Sequence, residues 1–190
     1  MLKKIFAILL LMLIPIVSVA VMVLPTFFTK NISRTELKKE INLPLILNSE
    51  KNIELLFFGY SGCVDICTPR LENISLLYES LDTQTKAQVG LKFLDISMSE
   101  DKMLPSRFAE YFHDDFTGIY LNKKIIRDYT KPFNVFFAPG LRDKTEFDHT
   151  AHLYIVKKSK SLKEIRFIYS AFPYDVKQIQ LDIQELLNDS

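Results

Sequence analysis

Apolar residues form one long block near the start of the chain and only short groups after it. The block covers residues 5–28, and the only non-hydrophobic residues within it are Pro15, Ser18, Pro25 and Thr26. A helix that spans a bilayer needs about 20 mostly apolar residues. The block is therefore long enough to cross a membrane, and it stands apart from the rest of the sequence.

Beyond the block, short apolar runs alternate with stretches whose apolar residues recur every three or four positions. The runs predict strands, and the wider spacing predicts helices with one apolar face. The predicted strands cover residues 53–58, 91–96, 116–121, 135–137, 150–156 and 164–169, and the predicted helices cover residues 67–81, 104–112, 123–133 and 176–187. Residues 139–147 are polar and turn-rich, which predicts an exposed loop. This order of elements predicts an α/β sandwich with a mixed central sheet.

Two interpretations of residues 1–28 compete. A cleaved signal peptide would have its apolar core at residues 5–17 and a small-residue cleavage site at residues 18–20, whereas an uncleaved anchor would use the whole block. We favour a transmembrane anchor, because cleavage after Ala20 would leave a mostly apolar octapeptide exposed at the start of a soluble domain.

Either interpretation places the rest of the chain outside the cytoplasm. Lys3 and Lys4 precede the block and favour a cytoplasmic N-terminus. An Arg- and Ser-rich transit sequence is absent, which favours a bacterial inner membrane with the domain in the periplasm over a mitochondrion. The expected organisation is an anchor or signal peptide at residues 1–28, a tether at residues 29–44 and a folded domain at residues 45–190.

Composition and charge exclude several classes of protein. The chain is 48% hydrophobic and 25% charged and contains 15 Phe and 8 Tyr, a composition that excludes disorder for most of its length. Only two cysteines are present, too few for a small disulfide-dense protein. The net charge is +1 and no half is strongly basic, so nucleic-acid binding is not expected.

The two cysteines, Cys63 and Cys67, stand where the first predicted strand gives way to a helix. Positions i and i+4 of a helix lie on one face, so the two sulfurs can converge on one metal ion or close a disulfide. A helix N-terminus lowers the pKa of a thiol and so favours thiolate, which is both a nucleophile and a metal ligand. A stable Cu(II) or Zn(II) site needs further ligands, usually imidazole.

Three histidines could supply that imidazole. His149 and His152 lie at the start of a predicted strand with side chains on opposite sides, so at most one of them can join the cysteines. His149 would complete a Cys2His site; the alternative is a structural disulfide beside hydrogen-bonded histidines. His113 is expected at the exposed end of a helix. Met98 and Met103 are soft copper ligands in principle, although methionine more often serves packing.

Two motifs resemble those of a known family. Residues 58–71, FGYSGCVDICTPRL, resemble the FGYTxCPDxCP signature of the SCO/SenC family, and residues 147–155, FDHTAHLYI, resemble its second motif, Asp-His-Ser/Thr followed by a strand. Residues 116–135 resemble the stretch between the two motifs. The similarity covers roughly residues 40–188. The family has a thioredoxin-like fold, which agrees with the predicted order of elements.

The resemblance implies a membrane-tethered protein that helps to deliver copper, as Cu(I) or Cu(II), to the copper centre of cytochrome c oxidase subunit II. The family's copper ligands are the two motif cysteines and the motif histidine, which are here Cys63, Cys67 and His149. Asp148 matches the acidic residue beside the ligand histidine, and Asp65 is kept between the cysteines. We expect both aspartates to lie around the ligands as their partners.

The chain departs from the family pattern at two places. Val64 and Thr68 replace the prolines that usually follow the cysteines, and residues 95–101, DISMSED, lack the proline of the family's SxDPxxD stretch. The copper ligands are unaffected by these changes. In the family this stretch lies near the metal site, so another copper client is the alternative to subunit II.

Three functions fit the cysteine pair. A copper metallochaperone is favoured, and a thiol–disulfide oxidoreductase with Cys63 and Cys67 as its redox pair is the main alternative. The Cys-x3-Cys spacing weakens that alternative, since thioredoxin-type motifs use Cys-x-x-Cys. An inert disulfide is least favoured, because closing so short a loop stabilises a fold little. The sequence leaves open whether the chain forms a homodimer.

Overall fold

The computed structural model describes residues 13–15, 17–23, 33–48, 50–140, 146–158 and 163–189. The chain divides into two compact units, Met1–Thr35 and Glu36–Ser190. In the first unit, residues 13–15 and 17–23 are helical. Among the described residues, no helix combines the length and apolar character that crossing a membrane requires. Most of the predicted anchor lies outside the described residues, so the anchor stays a prediction.

A six-stranded mixed sheet forms the centre of the second unit. The strands are β1 Arg34–Glu40, β2 Ile53–Gly59, β3 Val89–Asp95, β4 Phe116–Tyr120, β5 Phe137–Pro139, β6 Phe147–His149, β7 Leu153–Lys158 and β8 Lys163–Tyr169. Their order in the main sheet is β1-β8-β7-β2-β3-β4, and β5 pairs with β6 in a separate small sheet. β2, β3 and β4 are parallel, whereas β7 is antiparallel to both β2 and β8. The predicted α/β fold with a mixed sheet is confirmed.

Helices cover both faces of this sheet. They are α1 Pro44–Leu47, α2 Cys67–Glu79, α3 Thr83–Lys86, α4 Leu104–Glu110, α5 Ile126–Thr130 and α6 Val176–Asn188. All seven residues of β2 are buried. Leu55 and Phe57 of β2 pack on the face covered by α2, α4 and α6, while Leu56 and Phe58 pack on the face that carries α1 and α5. Apart from Glu54, the central strand therefore reads as a continuous apolar run rather than as an alternating one.

The predicted tether is in part a strand of the sheet. β1 falls within residues 29–44, and Ile41 and Leu43, which follow it, are buried in the core. An edge strand can be highly charged, because charge there opposes aggregation. Leu37 is the only apolar residue of the strand, so the apolar pattern does not predict that these residues pair with the sheet. The second compact unit begins at Glu36.

The remaining predicted elements are confirmed to within three residues at their ends, with one exception. The helix predicted over residues 123–133 is only α5, followed by a 3-10 helix at Lys131–Phe133. Pro132 lacks the N–H that an α-helix interior needs, and Asn134 then takes a left-handed conformation with φ 53°. Of the predicted loop at residues 139–147, positions 141–145 lie outside the described residues.

Gly118 lets α4 approach the edge strand β4 closely. A Cβ atom at this position would lie 2.0 Å from the carbonyl oxygen of Pro105 in α4, and backbone atoms cannot rotate away as a side chain can. We expect Gly118→Ala to lower the free energy of unfolding by about 1 to 3 kcal/mol, the usual cost of overpacking. Urea unfolding measures the change. Thr117→Ala, at the exposed neighbour in the same strand, is the control and should cost much less; equal stability of the two variants would contradict the close packing.

Candidate metal site

The two cysteines and one histidine meet at the edge of the sheet where β2 ends. Cys63 lies in the connection after β2, Cys67 is the first residue of α2, and His149 is the last residue of β6. Their ligand atoms, two sulfurs and one imidazole nitrogen, all lie within 4.8 Å of one another. Within the described parts of the chain, this is the one cluster of at least three such groups that could hold a metal ion.

A tight turn brings Cys63 back over the end of β2. The backbone N–H of Cys63 donates to the carbonyl oxygen of Tyr60 at 3.1 Å, and Gly62 has φ 93°. A type II turn requires a positive φ at its third residue, which favours glycine. The sequence Tyr-Ser-Gly-Cys therefore predisposes the chain to the turn that presents the Cys63 sulfur.

The start of α2 fixes the relation between the cysteines. The backbone N–H of Cys67 donates to the Cys63 sulfur at 3.2 Å, so an N–H group that lacks a helical partner points at this sulfur. The hydroxyl of Thr68 donates to the Cys63 carbonyl oxygen at 3.0 Å. Thr68, which replaces a family proline, thus ties the helix to the preceding loop by a hydrogen bond.

The Cys67 sulfur is buried against the end of β2. Cys67 is 0% exposed, and a Cβ atom on Gly59 would lie 2.7 Å from its sulfur. No other residue type fits at Gly59 without moving the sulfur or the aromatic rings of Phe57 and Phe93 beside it. The glycine that ends the strand therefore makes room for one of the candidate ligands.

His149 faces the cysteines through its Nε2 atom, which lies 3.4 Å from the Cys67 sulfur. Its Nδ1 atom lies 3.1 Å from the Thr150 carbonyl oxygen. A carbonyl only accepts hydrogen bonds, so Nδ1 carries the proton in neutral imidazole and the lone pair of Nε2 points toward the sulfur. The ring of Tyr60 meets His149 edge-on at 5.9 Å and packs on Phe147 at 5.6 Å, which limits the motion of the imidazole.

The environments of the two thiols push their pKa values apart. A hydrogen bond from the Cys67 thiol and hydrogen bonds from the backbone N–H groups of Cys67 and Ile66 lower the pKa of Cys63 to about 4, despite its burial. Burial raises the pKa of Cys67 well above its ordinary value, and the neighbouring Cys63 raises it further. The metal-free pair therefore holds one thiolate at neutral pH. A bound cation would favour loss of the second proton.

This donor set fits a soft metal ion. Bonds from a metal to thiolate sulfur or imidazole nitrogen are about 2.0 to 2.3 Å long, so donors within 4.8 Å of one another can share one ion. Both cysteines are free thiols in the structure. Two thiolates with one neutral imidazole match the ligand preference of copper.

Several residues singled out in the sequence lie elsewhere or play other parts. His149 belongs to β6, in the small sheet with β5, and not to the start of β7 as predicted. His152 contacts the ring of Tyr154, and burial lowers its pKa. His113 contacts Glu79 and is stacked on Phe116 at 5.6 Å, so it is less exposed than predicted.

The aspartates expected around the ligands are both exposed. Asp148 pairs with Ala138 between β6 and β5, and Asp65 lies in the loop between the cysteines. Their roles as partners of the ligands stay predictions. The backbone carbonyl of Thr150, not Asp148, is the group at the Nδ1 atom of His149. This contact is not predictable from the sequence, because a backbone carbonyl has no signature in the residue types.

The family comparison matches the SCO1/SenC model to residues 48–185 of the chain. Two SCO2-like proteins, of Rickettsia conorii and Rickettsia prowazekii, are 29% and 31% identical to it over 119 and 124 residues. The alignments cover 58% and 60% of this chain and 58% and 59% of the relatives. The chain therefore aligns with somewhat more than half of the length of these curated relatives.

Solved structures share the fold at lower sequence identity. Apo Sco1 of Thermus thermophilus has a TM-score of 0.63 at 24% identity, covering 80% of this chain and 92% of that one. Copper-bound ScoI of Arabidopsis thaliana has a TM-score of 0.61 at 17% identity, covering 75% and 88%. BsSco, a member of the Sco family of cytochrome c oxidase assembly proteins in which a disulfide switch has been identified, has a TM-score of 0.62 at 16% identity, covering 80% and 95%. The family model matches well more than half of this chain, so the chain belongs to the SCO1/SenC family.

Proposed function

We propose that this protein is a copper-binding metallochaperone that carries copper for the assembly of cytochrome c oxidase. The observation that carries the proposal is the convergence of the Cys63 and Cys67 sulfurs and the His149 imidazole within 4.8 Å. Two structures of the same fold support the proposal. ScoI of Arabidopsis thaliana has copper bound, and BsSco belongs to a family of cytochrome c oxidase assembly proteins. Copper is the cargo of this site rather than a catalyst.

The chemistry of the site suits transient copper binding. Thiolate and imidazole ligands accept copper in both oxidation states, and three protein ligands leave room for an incoming ligand of a client. Val64, 71% exposed, and Ile66, 38% exposed, lie between the cysteines on the outer side of the loop. A client can therefore approach the cluster from that side and take copper by stepwise ligand exchange.

The cellular setting belongs to the same proposal. Residues 1–28 anchor the protein in a bacterial inner membrane by a single span, and the domain faces the periplasm. The client is the copper centre of subunit II of cytochrome c oxidase, with another envelope copper protein as the alternative. The apolar block at residues 5–28 supports the anchor by its length, and family membership supports the client.

The state of the cysteines favours a second candidate, a thiol–disulfide oxidoreductase. Both are free thiols, and the lowered pKa of Cys63 makes its thiolate available at neutral pH. The Cys63 thiolate would attack a client disulfide, and Cys67 would then displace the client. Cys63 and Cys67 would end as a disulfide, and the client would become two thiols by gaining two electrons from the pair, one proton from Cys67 and one proton from water. Reduction of a copper acceptor would precede metallation, so the two functions are compatible.

The first prediction concerns the imidazole ligand. In the reduced 190-residue chain, we expect His149→Ala to lower Cu(II) affinity by about tenfold or more, because the ion loses one of three ligands. Competition with a chelator measures the affinity. His152→Ala is the matched control and should leave the affinity unchanged. Wild-type affinity in the His149→Ala variant would refute the Cys2His assignment, whereas thiol–disulfide exchange should survive this substitution nearly intact.

The second prediction concerns the space that Gly59 leaves for Cys67. A methyl group in Gly59→Ala would displace the Cys67 sulfur, so copper affinity should fall by about tenfold or more. Gly118→Ala, which also creates a clash but lies in β4, should lower stability without changing the affinity. The same chelator competition and urea unfolding are run on both variants. Equal copper affinities in the two would show that the position of the Cys67 sulfur is unimportant.

The third prediction concerns the thiolate on which exchange depends. In the reduced, copper-free protein, ultraviolet absorbance should report one thiolate at neutral pH that is protonated with a midpoint near pH 4, and Cys63→Ser should abolish it. An unfolded cysteine has a pKa of about 8.5, so this thiolate stabilises the fold above that value, and the stabilisation is lost as the pH falls toward 4. Cys67→Ala, which removes the thiol that donates to Cys63, should raise the midpoint. Absence of thiolate absorbance at neutral pH would contradict the assignment.

A further inference from the structure

Asp95 is a buried carboxylate at the same edge of the sheet as the metal site. It is the last residue of β3, is 1% exposed, and lies opposite Gly59 in the parallel pairing of β2 with β3. Burying a carboxylate is costly unless hydrogen bonds compensate for the lost water. Its position beside the loop that carries Cys63 therefore calls for a physical explanation.

The carboxylate of Asp95 accepts three hydrogen bonds. Its Oδ1 atom accepts from the backbone N–H of Ser61 at 3.1 Å and from the backbone N–H of Ser97 at 3.2 Å. Its Oδ2 atom accepts from the hydroxyl of Ser97 at 2.7 Å. The two contacts to Ser97 are local, within the chain that follows β3. The contact to Ser61 is different, because it joins β3 to the turn that precedes the cysteines.

This contact reaches the turn that presents Cys63. Ser61 is the second residue of the turn that the hydrogen bond from Cys63 to Tyr60 closes. Asp95 therefore links Ser61, in the middle of the turn, to β3. At the end of the turn, the backbone N–H of Cys67 donates to the Cys63 sulfur. A shift of Ser61 away from β3 would move the Cys63 sulfur relative to the Cys67 sulfur and His149.

We propose that Asp95 is a positioning residue of the metal site, which holds the turn over residues 60–63 so that the three candidate ligands converge. The inference rests on the proposed copper-binding function and goes beyond its ligand set. Asp95 does not bind the ion; it acts through the backbone N–H of Ser61. Groups that orient metal ligands commonly contribute about 10- to 100-fold to metal affinity.

Substitutions at Asp95 separate this role from a general effect on stability. Asp95→Asn keeps an oxygen that can accept from Ser61, so it is the conservative variant. Asp95→Ala removes the acceptor, and Asp95→Thr, whose side chain is shorter, serves as a second loss variant where the alanine variant does not fold. Ser97→Ala is the matched control, since it removes a hydrogen bond to Asp95 but leaves the contact to Ser61.

The experiment measures Cu(I) affinity by chelator competition, the thiolate-to-copper charge-transfer band of the Cu(II) form, and the melting temperature, all on the 190-residue chain. Asp95→Ala and Asp95→Thr should lower Cu(I) affinity by about 10- to 100-fold and shift the band, while Asp95→Asn and Ser97→Ala stay within about threefold of wild type. A lower melting temperature with unchanged affinity and band would overturn the proposal and leave Asp95 a purely structural residue.

A copper-free readout distinguishes failure of this inference from failure of the proposed function. If the wild-type chain binds no copper, the proposed function fails, and the positioning role is still tested by the reaction of Cys63 with a thiol reagent. Loss of the Ser61 contact should change that rate by about tenfold in Asp95→Ala and Asp95→Thr, but not in Asp95→Asn. Equal rates in all variants would overturn the positioning role.

Discussion

The contact between the Cys67 sulfur and Gly59 is the constraint on which the rest of the site depends. A methyl group at Gly59 would lie 2.7 Å from this sulfur, so the end of β2 and the start of α2 meet only because the side chain is absent. This close approach fixes the first turn of the helix. The Cys67 N–H then points at the Cys63 sulfur, and the Cys67 sulfur faces His149. The central strand, the helix and the small β5–β6 sheet thus converge on one point.

The site has buried cysteine ligands and an exposed loop between them. Both cysteines are almost fully buried, whereas Val64 between them is largely exposed. Burial and hydrogen bonding hold one thiolate and one thiol in the metal-free state, so binding a cation must release a proton. Such an arrangement couples copper affinity to pH and to the redox state of the cysteines. The two proposed functions, copper carriage and disulfide exchange, would therefore use the same two sulfurs.

Much of the fold follows from local patterns in the sequence, and the exceptions have physical causes. β2 and α6 were predictable because one is a continuous apolar run and the other repeats apolar residues on one face. β1 was not, because an edge strand can be charged, and its pairing with β8 depends on residues far away in the sequence. The cysteines and His149 were identified from residue type and motif. The contacts of Gly59, Thr150 and Asp95 depend on backbone groups that only the folded chain brings together.

In the proposed site, one copper ion binds to two cysteine sulfurs and one imidazole nitrogen at this edge of the sheet. X-ray absorption at the copper edge of the loaded, reduced 190-residue chain tests it most directly. We expect two Cu–S bonds and one Cu–N bond per ion, with the Cu–N contribution lost in His149→Ala and one Cu–S contribution lost in Cys63→Ser. Coordination by nitrogen and oxygen alone, or a spectrum unchanged in both variants, would contradict it.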